Sequence, residues 1–304
     1  MMSDINFGVG SIFLMQTGVG TMGNSLLFCL YTYNLLTGQK MRPTDLILNQ
    51  LVFVNNLLLF FRGIPQIMAA FGWKSFMGDA ECQLVIYIHR VARGVSLYTT
   101  CLLSAFQATK LGSTLSWFNQ LIIRCPRCIG FCCLYIWILQ LLVNIEILRR
   151  VTGPRDSKNL SMNMNYKFCS SLIPEKYVVV LNSVLFFVMD FLCLMFIIWA
   201  CSSIINFLYK HKQQVHYIHS QCIYPRTIPE DRATCTVLIL VTTFAFFLCL
   251  SSISTFCRSF IRDPNQWLVD ATVFLGACFP AFSPFLLIIT DRHVFYIFNF
   301  YRRN

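Results

Sequence analysis

The stretch from Cys82 to Gln107 is apolar and long enough to cross a bilayer, yet it contains His89, Arg90 and Arg93. An arginine near the middle of a bilayer costs about 2.5–3.5 kcal/mol, whereas a Leu, Ile, Val or Phe favours insertion by only about 0.3–0.6 kcal/mol. The apolar residues therefore barely offset the two arginines, and a lone helix would insert poorly. The stretch must lie in a bundle whose other helices supply carboxylates, carbonyls or trapped water.

Six further apolar runs accompany this stretch, each long enough for a hydrocarbon core about 30 Å thick. The chain has 304 residues, 56% of them hydrophobic and 12% charged, which is more apolar sequence than a soluble core needs. We predict an all-α membrane protein with one domain over residues 1–304, a seven-transmembrane-helix bundle. The first span should act as its own insertion signal, because residues 1–7 lack a cationic segment. The predicted spans are approximately 10–33, 46–71, 83–109, 129–148, 177–207, 233–257 and 267–290.

Five sequence motifs resemble those of the vomeronasal type-1 receptors, a rhodopsin-like group of G-protein-coupled pheromone receptors. In chain order they are RPTDLILNQL from Arg42, HRVARGVSLYTTCLLSAFQ from His89, HKQQVHYIHS from His211, PRTIPEDRAT from Pro225 and FPAFSPFLLI from Phe279. Their spacing fits one receptor. The resemblance implies a chemosensory receptor of the plasma membrane that binds a small molecule and activates a heterotrimeric G protein of the inhibitory type.

The loop cations predict that the N-terminus is outside and the C-terminus is cytoplasmic. In this orientation more Lys and Arg residues lie on the cytoplasmic side than outside, as the positive-inside rule requires. The one N-x-S/T sequon of the chain, at Asn159, then lies outside, where glycosylation takes place.

The cytoplasmic cations cluster near the inner ends of the predicted helices. Such cations suit the acidic or terminal-carboxylate groups of a partner helix, and contact with anionic lipid is the alternative role. We predict that a G protein contacts Arg124, Arg127, Lys210, Lys212 and Arg232.

Most of the 15 cysteines lie within predicted spans, where a free thiol packs as a small apolar side chain. Cys82 and Cys169 instead lie at the outer ends. The resemblance to rhodopsin-like receptors implies that these two form a disulfide that ties the outer loop over the bundle, which an oxidising outer face permits. Cys125 and Cys128 have the spacing of a metal or redox pair, but no second Cys or His pair accompanies them, so we expect no metal site.

Ionisable residues within the spans are the candidates for a ligand-binding site. His89, Arg90 and Arg93 lie along one side of the third helix because they are three and four residues apart. At about 1.5 Å per residue they lie roughly 10–16 Å below Cys82, in the outer half of the bundle. Four further ionisable residues should reach similar or slightly greater depth: Arg62, Glu146, Asp270 and, deepest, Asp190.

Two roles are open for this set, a structural ion-pair network and the lining of a ligand cavity. We predict that Arg90 or Arg93 pairs with Asp190 or Glu146. His89 and the remaining arginine would then face the ligand. Apolar and aromatic side chains would supply most of the cavity wall.

Three classes of function are compatible with a membrane bundle. A receptor needs no catalytic group and fits the seven spans. A secondary transporter is the alternative, since buried ionisable residues also mark ion and substrate paths, but an odd number of spans without internal repeats counts against it. An intramembrane enzyme would need a convergent catalytic set, and His89 is the one histidine within a span.

We therefore predict a receptor without enzymatic activity. With what the resemblance implies, its partners are a small pheromone-like molecule, an inhibitory-type heterotrimeric G protein and the lipid bilayer. We expect no cofactor and no nucleic-acid partner.

The sequon at Asn159 provides a test of the predicted orientation. Glycosidase treatment should increase the gel mobility of the wild-type protein, whereas Asn159→Gln should migrate at the deglycosylated position without treatment. An Asn159 found unmodified by mass spectrometry would remove one support for an outer location of this loop.

Overall fold

A computed structural model describes residues 2–37, 43–73, 77–111, 126–146, 148, 151–152, 169–171, 176–218, 229–261 and 266–290. Within these ranges the chain forms seven helices, which confirms the predicted helix number and the all-α class. Their bounds are α1 Met2–Leu36, α2 Pro43–Ala70, α3 Asp79–Leu111, α4 Pro126–Val143, α5 Lys176–Ile218, α6 Pro229–Phe260 and α7 Gln266–Thr290. Two short strands, β1 Val151–Thr152 and β2 Ser170–Ser171, pair antiparallel.

The helix boundaries follow from local chemistry. Proline is the first residue of α2, α4 and α6, at Pro43, Pro126 and Pro229, where its missing N–H costs no helical hydrogen bond. The C-terminus of α2 is closed by Gly72, whose positive φ of 86° suits glycine. The N–H of Gly72 donates to the Ala69 carbonyl and that of Trp73 to the Met68 carbonyl, the two bonds of a Schellman cap.

Five of the seven described helices are long and apolar enough to cross a membrane. These segments are Phe7–Leu36, Pro43–Ala70, Val184–Lys210, Val237–Cys257 and Gln266–Ile289. The other two helices, α3 and α4, are not apolar and long enough by this criterion, for separate reasons. α3 carries the charges of His89, Arg90 and Arg93, and the apolar part of α4, Cys128–Val143, is shorter. Both therefore depend on the bundle around them.

The fourth predicted span, 129–148, extends beyond the observed end of α4 at Val143. Residues 144–146 form a turn instead. The Asn144 Nδ2 donates to the Gln140 carbonyl at 2.9 Å, and the Ile145 N–H bonds three residues back to Leu142 rather than four. This tightening of the last turn ends the helix before Glu146. By contrast α5 continues to Ile218, beyond its predicted span.

The helices pack around α3, which contacts α2, α4, α5 and α6. α1 packs between α2 and α7, and α6 packs between α5 and α7. Buried apolar side chains from all seven helices form one core. α3 is therefore the central element of the bundle, in agreement with the need of its charges for protein partners.

A close contact between helix backbones joins α1 to α7. A Cβ atom at Gly20 would lie 2.8 Å from the Ala281 Cα, and one at Gly23 would lie 2.9 Å from the Pro284 Cγ. The nearby Asn24 Nδ2 donates to the Pro280 carbonyl at 2.8 Å. That carbonyl lacks its usual helical donor because residue 284 is a proline without an N–H. Small residues and a side-chain amide thus hold α1 against the proline-containing part of α7.

Further side-chain hydrogen bonds connect α2 to its neighbours. The Asn55 Nδ2 donates to the Ser283 Oγ in α7 at 2.9 Å, and the Gln50 Nε2 donates to the Thr99 Oγ1 in α3 at 2.7 Å. Such bonds matter in a bilayer because apolar contact between helices gains little over contact with lipid tails. They fix the side of α2 that faces α3 and α7.

The contact between α1 and α7 predicts unequal effects of two similar glycine substitutions. Gly20→Ala should lower the thermal unfolding midpoint of the purified protein, because overpacking a tight contact typically costs about 1–3 kcal/mol. Gly18→Ala is the matched control, since a Cβ there meets nothing within 4 Å. Equal midpoints for the two variants in a thermal-shift assay would contradict the observed approach of α1 to α7.

Candidate ligand-binding site

One end of the bundle is covered by a disulfide and a strand pair. Cys82, in the first turns of α3, is bonded to Cys169, with Cα atoms 5.8 Å apart. The adjacent Gln83 Nε2 donates to the Val151 carbonyl of β1 at 3.0 Å. Cys82, Cys169, Val151 and Ile86 form a small buried cluster, against which Ala69 near the end of α2 packs. We call this end of the bundle the disulfide end.

A polar cluster below the disulfide end joins three helices. The Asp190 Oδ2 in α5 accepts a hydrogen bond from the Arg93 Nη2 in α3 and another from the Ser252 Oγ in α6, each at 2.6 Å. The Arg93 Nη2 also lies 3.3 Å from the Ser252 Oγ. Both acceptor contacts are charge-assisted and short, as expected for a carboxylate away from water. We call these residues the Arg93–Asp190–Ser252 cluster.

The two charged members of the cluster differ in exposure. The Asp190 side chain is 12% exposed, whereas the Arg93 side chain is 37% exposed. A guanidinium has five N–H donors, and the cluster uses only one nitrogen of Arg93. Arg93 therefore has donors left for a ligand while it holds Asp190.

Arg90 lies one turn closer to the disulfide end and has a different partner. Its guanidinium carbon is 5.1 Å from the centre of the Phe186 ring in α5, a cation–π contact. The partly buried His89 lies within electrostatic range of Arg62, Arg90 and Arg93. The predicted cationic face of α3 is thus brought together with Arg62 of α2.

Arg62 is positioned by an irregular part of α2. The segments Pro43–Leu58 and Ile64–Ala70 are α-helical, and the π-helical turn Leu59–Gly63 joins them. Pro65 cannot donate to the carbonyl four residues before it, so a regular α-helical ladder cannot run through this part of α2. Such π turns often occur at functional sites, and here one carries Arg62.

The two remaining predicted carboxylates lie apart from the cluster. The Asp270 Oδ1 in α7 accepts a hydrogen bond from the Gln66 Nε2 in α2 at 2.8 Å. Glu146 is exposed in the turn after α4. Of the pairs predicted between Arg90 or Arg93 and Asp190 or Glu146, the structure brings together Arg93 and Asp190. The roles of these residues toward a ligand stay predictions.

Three contact residues of the site were not predicted from the sequence: Ser252, Phe186 and Gln66. Ser252 could have been noticed because it and Ser251 interrupt the apolar run of α6. Phe186 is one of 29 phenylalanines, and no sequence signal separates it from those that face lipid. In the described part of the chain no three His, Cys, Asp or Glu side chains meet as a metal site requires.

Several predicted contact residues lie outside the described part of the structure. Asn159 and Arg124 belong to undescribed segments, and the side chains of Arg127, Lys212 and Arg232 are likewise not described. Lys210 is exposed on α5, toward the end opposite to the disulfide. Of the five cations predicted to contact a G protein, Lys210 is the one whose side chain the structure describes.

The Arg93–Asp190–Ser252 cluster predicts the outcome of a charge exchange. Arg93→Asp should abolish surface expression, because it places a second carboxylate beside Asp190 in a low-dielectric interior. Asp190→Arg in the same chain should restore expression by re-forming the pair with its ends exchanged. An antibody against an N-terminal tag on intact cells measures both. If Arg93→Ala reaches the surface normally and shifts agonist potency instead, Arg93 serves the ligand and not the fold.

Known proteins of one receptor family match almost the whole length of this chain. The vomeronasal organ pheromone receptor family matches residues 7–300. The chain is 47% identical to the human vomeronasal type-1 receptor 1, over 94% of this chain and 80% of that receptor. It is 40% identical to the human vomeronasal type-1 receptor 4, over 94% and 95% of the two chains. It is 30% identical to the zebrafish (Danio rerio) olfactory receptor class A-like protein 1, over 93% and 89%.

This family is a membrane receptor family and not an enzyme family, as predicted. Seven described helices, with a bonded cysteine pair at one end and an arginine–aspartate pair inside, agree with a multi-pass receptor. The chain belongs to the family of vomeronasal organ pheromone receptors, whose members include the vomeronasal type-1 receptors.

Proposed function

We propose that this receptor binds a small pheromone-like molecule in the half of the bundle nearest the disulfide end and activates a heterotrimeric G protein of the inhibitory type at the other end. The observation that carries the proposal is the Arg93–Asp190–Ser252 cluster, which ties α3, α5 and α6 at one point. A ligand that engages the free donors of Arg93 changes how these helices are held together. α5 and α6 extend away from the cluster toward the opposite end, so such a change reaches the surface that a partner would contact.

We further propose that the disulfide end faces the outside of the plasma membrane and that residues 1–304 form one receptor domain. A structural disulfide needs an oxidising compartment, which supports an outer location for Cys82 and Cys169. The start of α1 lies at the same end, because the Phe7 ring is 5.6 Å from the Phe71 ring that follows α2. The N-terminus is then outside and the C-terminus, after α7, is cytoplasmic.

The G-protein surface would be formed by the inner ends of α4, α5 and α6 with the loops beside them. α5 ends at Ile218 and α6 begins at Pro229, so the two helices reach this end together. Clustered cations there suit acidic and terminal-carboxylate groups of a partner. The residues proposed to take part are Arg124, Arg127, Lys210, Lys212 and Arg232.

A secondary transporter is the other function that buried ionisable residues suggest. Two observations favour the receptor. Asp190 is engaged by both Arg93 and Ser252, as a structural junction would require. The relatives named above are all receptors. Ligand-coupled ion flux without nucleotide exchange would reverse this choice.

The proposed function is tested by a ligand panel on membranes that contain the receptor and an added inhibitory-type heterotrimeric G protein. We expect at least one small, largely apolar molecule to accelerate nucleotide exchange in a receptor-dependent manner. A panel that produces exchange only with another class of G protein would contradict the inhibitory type.

The same assay tests the proposed G-protein surface. Neutralising Lys210, Lys212 and Arg232 together, each to Gln, should reduce agonist-driven exchange without lowering the amount of receptor at the surface, because the partner loses its complementary charges. Neutralising Arg258 to Gln, near the opposite end of α6, is the control for charge loss as such. Unchanged exchange in the triple variant would assign the three cations to lipid contact.

A further inference from the structure

Among the described helices, the neighbours α4 and α5 are separated from each other. α4 packs on α2 and α3, but over residues 126–143 and 176–218 it makes almost no contact with α5. The ring closes instead through the contact of α3 with α5. Neither of these described helices covers the part of α3 that includes the partly exposed Arg90, and we call the space between them the α4–α5 opening.

Helical periodicity places Arg90 in this opening. Tyr87 and Gly94 mark the side of α3 that faces α4, since the Tyr87 hydroxyl donates to the Leu141 carbonyl at 2.9 Å and a Cβ at Gly94 would collide with Gln140. Viewed along the axis of α3, Arg90 lies about 60° to one side of the direction toward α4. Val91 lies on the other side of that direction, where it packs with Val54 of α2.

The contacts of Arg90 and α4 agree with this placement. The Arg90 guanidinium lies over Phe186 of α5, whose side chain is 42% exposed. On α4, Trp137 lies toward α2, with its ring 6.1 Å from that of Phe53. Val143 is on the other side of α4 by periodicity and is 59% exposed. Arg90, Val143 and Phe186 therefore border the opening on its three helices.

The charge of Arg90 is not balanced by a carboxylate in the described part of the chain. Asp190 is engaged by Arg93 and Ser252, whereas Arg90 contacts the face of an aromatic ring. A guanidinium at membrane depth is costly unless a partner offers negative charge or strong acceptors. The neighbouring His89 lies within electrostatic range of two further arginines, Arg62 and Arg93, whereas the exposed Phe186 and Val143 are apolar. This combination suits a molecule with an apolar body and an anionic head.

We propose that the α4–α5 opening admits membrane-dissolved amphiphiles and that Arg90 binds their carboxylate, so that ligands reach the receptor sideways from the bilayer. The inference rests on the proposed function and adds to it a ligand class and a route. The apolar body lies between Val143 and Phe186, and the carboxylate accepts hydrogen bonds from Arg90. From there the ligand is one helical turn from Arg93, which uses only one nitrogen in the Arg93–Asp190–Ser252 cluster.

The test uses the purified full-length receptor in phosphatidylcholine nanodiscs, without a G protein, and a dodecanoic acid that carries a photoreactive diazirine at its far end. We expect labelling within the described parts of α4 and α5 that border the opening, competed by dodecanoic acid and not by dodecanol. Arg90→Gln should weaken competition by about tenfold, the effect of losing one charge-assisted hydrogen bond, and Arg90→Lys should retain most of it.

The route is tested separately from the binding group. Val143→Trp should slow labelling by filling the opening, while labelling after long incubation stays the same. Ile12→Trp is the matched control, because Ile12 is 54% exposed on α1, away from the opening. Equal labelling rates for the two tryptophan variants would overturn the route.

Three other outcomes would overturn the binding proposal. They are equal competition by the alcohol, full competition in Arg90→Gln, and loss of labelling when phosphatidylglycerol is added to the nanodiscs, which would assign the opening to phospholipid. Because no G protein is present, these outcomes are independent of the nucleotide-exchange assay. A receptor that couples to its G protein but fails to discriminate the acid would disprove this inference alone.

Discussion

The cost of holding cations within a bilayer is the constraint on which this structure depends. α3 carries His89, Arg90 and Arg93 and would insert poorly by itself. Its position at the centre of the bundle, in contact with four other helices, is the physical answer to that cost. Asp190 is the buried carboxylate that takes up one of these charges, and Ser252 completes its hydrogen bonding. The most polar helix of the bundle is thereby also the one that organises it.

The rest of the bundle is held by shape and by neutral hydrogen bonds. Lipid tails are as apolar as the helices, so burial of apolar side chains contributes less to helix association than it does in water. Close approach at Gly20 and the bond from Asn24 to the Pro280 carbonyl join α1 to α7, and Asn55 joins α2 to the same helix. These contacts tie together the side of the bundle that lies opposite to the α4–α5 opening.

The asymmetry between these two sides bears on how a receptor of this kind can work. The α1–α2–α7 side is tied by side-chain amides and small residues, whereas α5 and α6 are tied to α3 through one carboxylate in the region of the site. Apolar side chains of α3, α5 and α6 also pack together in the core, so a competing ligand would exchange only the polar contacts at this junction. The same region contains Arg90 and the opening to the membrane. The proposed ligand access, the proposed ligand contact and the attachment of α5 and α6 therefore lie within about two turns of α3.

The sequence by itself determined the number of helices, because the length and spacing of apolar runs depend only on local composition. It also determined that His89, Arg90 and Arg93 share one side of α3, since helical periodicity is a local property. It left open which arginine pairs and with which carboxylate. The tertiary structure decided this, because α4 ends at Val143 and leaves Glu146 in an exposed turn, while the rotation of α3 presents Arg93 to Asp190 and Arg90 to Phe186. Periodicity specifies the faces of each helix, but the rotation of one helix against another follows from packing among all seven, and only the folded bundle contains that information.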